Sequence, residues 1–151
     1  MPALKDRLRA DLTTAMKARD EVRTRTLRMA LTSLSNEEVA GRAARELTDD
    51  DVLKILAREA KRRREAAAAF AEAGRDEQAA AERAEDAVLT SYLPAQLSDA
   101  ELTDLVTAAI AAAGAAGPGA MGQVMKAVTP QVQGRAEGSR VAAEVRRQLA
   151  G

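Results

Sequence analysis

Residues 88–101 read VLTSYLPAQLSDAE, and the order of signals within them decides how the chain is divided. Val88, Leu89, Tyr92 and Leu93 recur at helical spacing and close a helix on an apolar face. Pro94 follows at once. It lacks the N–H a helix would need and pushes Leu93 out of helical geometry. Ser98 and Glu101 then form the S-x-x-E capping box, in which hydroxyl and carboxylate satisfy orphan amides at a new helix start. A helix end, a proline break and a helix start predict two helical domains, residues 1–93 and 98–151, joined by the linker Leu93-Pro94-Ala95-Gln96-Leu97.

Working back from the break, a first helix is expected from about Ala3 to Ala18, with Leu4, Leu8, Leu12, Ala15 and Met16 on one face. Asp20 caps a second, whose stripe Val22, Thr26, Met29, Ala30, Ser33 and Leu34 is widened by Leu27 and Leu31. Gly41–Arg45 reads as a loop. Thr48 followed by Asp49, Asp50 and Asp51 places a hydroxyl cap and three acids at the positive end of a helix dipole. That third helix runs through Val52, Ile55, Leu56, Ala60, Ala67 and Phe70 to Gly74. A fourth starts near Asp76, and its Glu77, Glu82, Glu85 and Asp86 are expected to face Lys61-Arg62-Arg63-Arg64 on the third.

Working forward, the fifth helix carries Leu102, Leu105, Val106 and Ile110 and ends at Gly114. Two amphipathic segments follow, one with Met121, Val124, Met125 and Val128, the other with Val141, Val145 and Leu149. They hinge at Gln133-Gly134-Arg135, and Pro130 is expected to stop or kink the first of them near Thr129. The fold class is therefore all-α, an N-terminal four-helix part followed by a small three-helix part.

Composition narrows the function. The 151 residues carry 23 positive and 23 negative groups, so the whole chain is not a polyanion binder. Phe70 and Tyr92 are the only aromatics, which argues against stacking of single-stranded bases. There is no Cys and no His, which excludes disulfides and zinc–thiolate sites and removes the commonest general base. No signal-length apolar run opens the chain and no stretch reaches about 20 uncharged apolar residues. The expected location is cytoplasmic, with no membrane partner.

Gly117-Pro-Gly-Ala-Met-Gly122 spells G-x-G-x-x-G, but a dinucleotide fingerprint needs a preceding strand, and here an alanine-rich helix precedes it. It reads as a helix–helix turn. Lys61–Arg64 point around most of a helix circumference and read as a solvated face paired with the fourth helix, Arg63 lying nearest the apolar stripe. Asp49–Asp51 are explained by capping, without a metal. Ser33, Ser35, Ser91, Ser98 and Ser139 lie in no G-x-S-x-G or S-x-x-K setting, so no catalytic residue, cofactor or metal ligand is assigned. The tail differs. From Met121 onward Lys126, Arg135, Arg140, Arg146 and Arg147 oppose Glu137 and Glu144, five against two, a local excess of +3. A basic helical pair of this kind is a candidate nucleic-acid surface.

Several stretches carry a resemblance. Lys17-Ala-Arg-Asp20-x-x-Arg23, Thr26-Leu-Arg-Met29, Asn36-Glu-Glu38, Leu47-x-Asp49-x-x-Val52, the Lys61/Arg63/Glu65 stretch, Ala73-Gly-Arg-Asp76, Tyr92-Leu-Pro-x-Gln-Leu-Ser98, Met121-Gly-x-Val-Met125 and Gly134-Arg-Ala-x-Gly138 together resemble the YqeY-like proteins over essentially the whole chain. That family is related through its C-terminal region to the tail domain of GatB, a subunit of the glutamine-dependent tRNA amidotransferase. The resemblance implies a GatB-tail-like C-terminal domain. It also implies a stand-alone accessory module that binds tRNA, or a tRNA–amidotransferase-type complex, through Lys126, Arg135, Arg140, Arg146 and Arg147. Two alternatives stand beside it. One is a protein-interaction module docking on amidotransferase subunits or another tRNA-processing enzyme without RNA. The other is the carbon–nitrogen ligase activity, with glutamine as amido-N-donor, that the family label suggests.

Overall fold

A computed structural model, described over residues 3–151, contains seven α-helices and, among the described residues, no strand. They are α1 (Ala3–Lys17), α2 (Glu21–Glu38), α3 (Asp49–Glu72), α4 (Asp76–Thr90), α5 (Asp99–Ala113), α6 (Met121–Val132) and α7 (Gly138–Ala150), with a single 3₁₀ turn, Pro118–Ala120, leading into α6. Contacts divide the chain into two units, Met1–Leu93 and Pro94–Gly151. Among the described residues no single helix is long and apolar enough to cross a membrane.

In the first unit α1 turns into α2 within three residues, because Asp20 serves both sides of the bend. Its amide donates to the Ala15 carbonyl (3.0 Å), and its carboxylate accepts from the Arg23 amide (3.0 Å) as the cap of α2. Thr48 and Asp51 form a reciprocal capping box at the start of α3 (3.1 and 3.0 Å). Leu8, Leu27, Leu34, Val52, Leu56 and Leu89 are fully buried together, each contributing roughly 1.5–3 kcal/mol relative to exposure. Met16, expected on the inner face of α1, is instead 49% exposed. It lies in the last turn, where α1 runs past the core into the bend.

Charge is layered over this core. Glu59 is buried, accepting from Arg62 (3.2 Å) and Ser33 (3.4 Å), and Arg63 lies between Glu59 (3.6 Å), Glu82 (3.8 Å) and Glu85 (3.2 Å). Arg25 of α2 reaches the same Glu85 at 3.0 Å, and Arg64 meets Asp86 at 3.1 Å. Of the basic run of α3, Arg63 and Arg64 reach Glu82, Glu85 and Asp86 of α4, while Arg62 pairs within α3 and Lys61 and Glu77 are exposed. Arg63 also rests on the Met29 thioether, its stem over the apolar stripe.

The second unit packs α5, α6 and α7 around Val106, Val124, Val128, Val141 and Val145. Ser98 and Glu101 form the capping box of α5 (3.1 and 3.0 Å). Pro130 does not stop α6 near Thr129; the helix continues to Val132. The proline sits in the last turn, where one backbone bond is lost. Its neighbours bond the preceding turn instead, Thr129 Oγ1 donating to the Met125 carbonyl (2.7 Å) and Gln131 Nε2 to that of Ala127 (3.2 Å). Continuing the helix keeps Val132 buried.

Residues 94–97 are sewn to the α6–α7 bend. The Leu97 amide donates to the Arg135 carbonyl (2.7 Å), and Gln96 Nε2 donates to that of Gly134 (2.9 Å). Arg135 Nε approaches the Ala95 carbonyl at 3.4 Å. Gly134 adopts φ +77°, and a Cβ there would lie 3.5 Å from the Pro94 ring. The bend and the segment after the proline break therefore form one clasp.

Candidate nucleic-acid interface

The candidate cations are distributed by the pitch of α7. With Val141, Val145 and Leu149 turned to the core, the 100° step sends Arg140, Glu144, Arg147 and Gln148 to one flank and Arg146 to another. The first flank meets α5. Arg140 Nη2 donates to Asp99 Oδ1 (2.9 Å) and to the Leu97 carbonyl (3.0 Å). Glu144 accepts from Thr103 (3.2 Å), Gln148 donates to the Thr103 carbonyl (3.0 Å), and Thr107 donates to Gln148 (2.9 Å). Arg147 Nε lies 3.0 and 3.1 Å from the two Glu144 oxygens. That bond holds the Glu144 carboxyl below the usual glutamate range, against the opposing effect of burial.

Arg140 and Arg147 flank a shallow cleft of about 220 Å³ that also has Asp99, Thr103 and Glu144 on its walls. Arg146 edges a separate recess of about 280 Å³, otherwise lined by Pro118, Met121, Leu149 and Ala150. Lys126 lines neither. Arg135 is half-buried in the clasp. Lys126 and Arg146 are exposed and have no ion-pair or hydrogen-bonding partner among the described residues. The five residues singled out from sequence are thus not gathered on one track: Arg140 and Arg147 share a cleft, and Arg135, Lys126 and Arg146 lie apart from it.

Counting charge from Met121 took in Glu137 and Glu144 but not Asp99, Glu101 and Asp104 of the same unit. Within Pro94–Gly151 the five cations are matched by Asp99, Glu101, Asp104, Glu137 and Glu144, so the unit is neutral. Counting from Met121 left out α5. The capping box itself was a usable signal, because it put Asp99 and Glu101 in the first turn of a helix bound to pack on the tail. Among the described residues no group of three or more acidic side chains converges in a way that could hold a metal ion.

A family model described as Yqey-like protein matches residues 5–149, nearly the whole chain. The chain belongs to the YqeY-like family. No curated protein matches it. Two of the stretches in which the chain resembles the YqeY-like proteins, Tyr92–Ser98 and Gly134–Gly138, meet in the clasp. A third, Met121–Met125, supplies Val124 to the core of the same unit. These YqeY-like stretches therefore have local structural reasons, which leaves the ligand to be argued from the exposed groups.

Proposed function

We propose that this YqeY-like chain is a stand-alone accessory module that holds tRNA, or a tRNA–amidotransferase-type complex, through a GatB-tail-like C-terminal unit, and does not transform it. The observation that carries the reading is the pair Lys126 and Arg146, cations left exposed and unpartnered in a unit whose other arginines are engaged internally. The resemblance of the tail to the GatB tail domain supports the ligand class, and the scarcity of aromatics supports recognition of backbone and shape over base stacking. Arg140 and Arg147 take part through donors left over from their bonds to Asp99 and Glu144. The sequence has neither His nor Cys, which favours holding over unaided glutamine-dependent ligase chemistry, and the purified chain is expected to form no amide from glutamine in a direct assay. Titration of a tRNA transcript at two salt concentrations tests the reading. Binding is expected at low salt, to weaken steeply with added salt, and to fall in Lys126→Ala/Arg146→Ala; unaltered binding by that variant sinks it.

A second reading is favoured by the recess beside Arg146, whose walls are Pro118, Met121, Leu149 and Ala150. It suits an apolar side chain of a protein partner with an acidic neighbour. Capture of a tRNA-processing enzyme from nuclease-treated lysate, lost in Met121→Asp, would support this reading over the first.

A further inference from the structure

The bend between α1 and α2 is built unlike its counterparts. α1 ends in a Schellman motif: the Asp20 amide donates to the Ala15 carbonyl (3.0 Å) and the Arg19 amide to that of Met16 (3.2 Å). The motif needs a left-handed residue, and Arg19 supplies it at φ +57°. α3 and α5 close with the same pair of bonds, Arg75 to Phe70 with Gly74 to Ala71, and Ala115 to Ile110 with Gly114 to Ala111. There the left-handed residue is glycine, at φ +74° and +61°. Arg19 is the one non-glycine residue with positive φ among the described residues. A side chain at this position is strained, and glycine would relieve it.

The side chain held there points to a use. Lys17 and Arg19 are exposed and have no partner among the described residues. Arg28, also exposed, reaches back across the hairpin to the Met16 sulfur at 3.7 Å, beside Lys17 in sequence, and meets no carboxylate. Arg23 has only a loose pairing with Asp20 (3.9 Å), whose carboxylate is occupied as a cap. From Lys17 to Arg28 five cations (Lys17, Arg19, Arg23, Arg25, Arg28) oppose Asp20 and Glu21, an excess of +3. Of the five, Arg25 is the one that meets a carboxylate of another helix beyond the hairpin, Glu85. Apart from Met16, no large apolar side chain is exposed near the bend.

We propose that the α1–α2 bend is a separate phosphate-binding surface for a nucleic-acid backbone, with Lys17, Arg19 and Arg28 as the contacting groups. Protein interfaces are centred on clusters of large side chains packed in desolvated pockets, whereas this bend exposes a single apolar side chain, Met16, with Arg28 lying against its sulfur. A phosphate track needs only cations with free donors and reach. The strain at Arg19 is explained if a guanidinium is required at the bend. This assignment does not depend on the C-terminal reading.

The test uses the full chain and an unmodified tRNA transcript, titrated over a series of salt concentrations. Three variants are compared: Lys17→Ala/Arg19→Gly/Arg28→Ala, Arg19→Gly alone, and Lys126→Ala/Arg146→Ala. The triple variant is expected to lose about tenfold or more in affinity at low salt, and its slope of log K against log salt to shrink by about 2 for three lost phosphate contacts. Arg19→Gly alone should raise the melting midpoint while weakening binding, two readouts moving in opposite directions that a structural role does not produce. A triple variant that is folded by circular dichroism and binds like wild type overturns the proposal, as does absence of wild-type binding at low salt. Displacement of the RNA by polyglutamate at equal charge would also overturn it, marking the bend as a site for acidic protein. Loss confined to the Lys126/Arg146 variant removes this surface and leaves the C-terminal one; loss confined to the triple variant does the reverse.

Discussion

Tyr92 is where a single side chain holds most. It is 6% exposed two residues past the end of α4, its hydroxyl donates to Asp11 at 2.5 Å, and Arg7 lies 4.9 Å from its ring centroid. Burial, and then the bond to Asp11, push its hydroxyl up to about 12. A group whose folded pKa is raised contributes stability below its ordinary value near 10 that is lost as pH rises through the folded value. The melting temperature of wild type should therefore fall between pH 10 and about 12 more steeply than that of Tyr92→Phe. At pH 7 the same variant should cost about 1 kcal/mol, because it removes the Tyr92 donor from an Asp11 carboxylate that keeps Arg7 at 3.8 Å; chemical denaturation at the two pH values checks both. At Arg19 the substitution to glycine should stabilise the chain by about 1 kcal/mol by removing left-handed strain, measurable in urea.

At the scale of elements the starts of α3 and α5 are alike. Backbone and side-chain bonds from Thr48 hold Asp51 below the usual aspartate range, and those from Ser98 do the same for Glu101. A depressed folded pKa stabilises above the ordinary carboxylate value and is lost as pH falls through the folded one, so both caps should fail on the acid side of the pH–stability profile. Thr48→Ala and Ser98→Ala should each cost about 1 kcal/mol at neutral pH and flatten that acid limb. The α5–α7 contact makes a sharper distinction. Arg140→Ala removes a donor from Asp99 and from the Leu97 carbonyl and should cost about 1–3 kcal/mol. Arg147→Ala removes an exposed guanidinium from a pair within one helix, and the Glu144 carboxylate keeps Thr103 and Gln148 as donors, so it should cost about 0.5 kcal/mol. Thermal melts of the two variants side by side test whether the first is a positioning residue and the second a surface one.

For the whole molecule, Leu89 and Val145 belong to different hydrophobic clusters. Leu89→Ala should cost about 3 kcal/mol and Val145→Ala about 2 kcal/mol. Hydrogen exchange should show the lost protection concentrated in residues 3–93 for the first and 94–151 for the second; uniform loss in both would mean a single cooperative unit. Much of this architecture was legible in sequence because caps and breaks are local chemistry. Asp20, Thr48, Ser98 and Gly114 mark ends that the structure places where their side chains or φ require. The candidate interface was far less legible. Whether Arg140 is free or bound depends on Asp99, 41 residues away, and no local pattern reports that. Met16 and the helix stop expected at Pro130 differ from the structure for a related reason: an apolar residue can run past its core, and a proline in a last turn costs little when one more turn buries Val132.

The left-handed arginine has a consequence in the currency of mutation. Every arginine codon becomes a glycine codon by a single base change, so the residue that would relax the α1–α2 bend is always one nucleotide away. The same bend elsewhere in the chain is closed by glycine at positions 74 and 114. The strain at Arg19 thus stands beside its most accessible remedy, and its presence is information about what that side chain does beyond closing a helix.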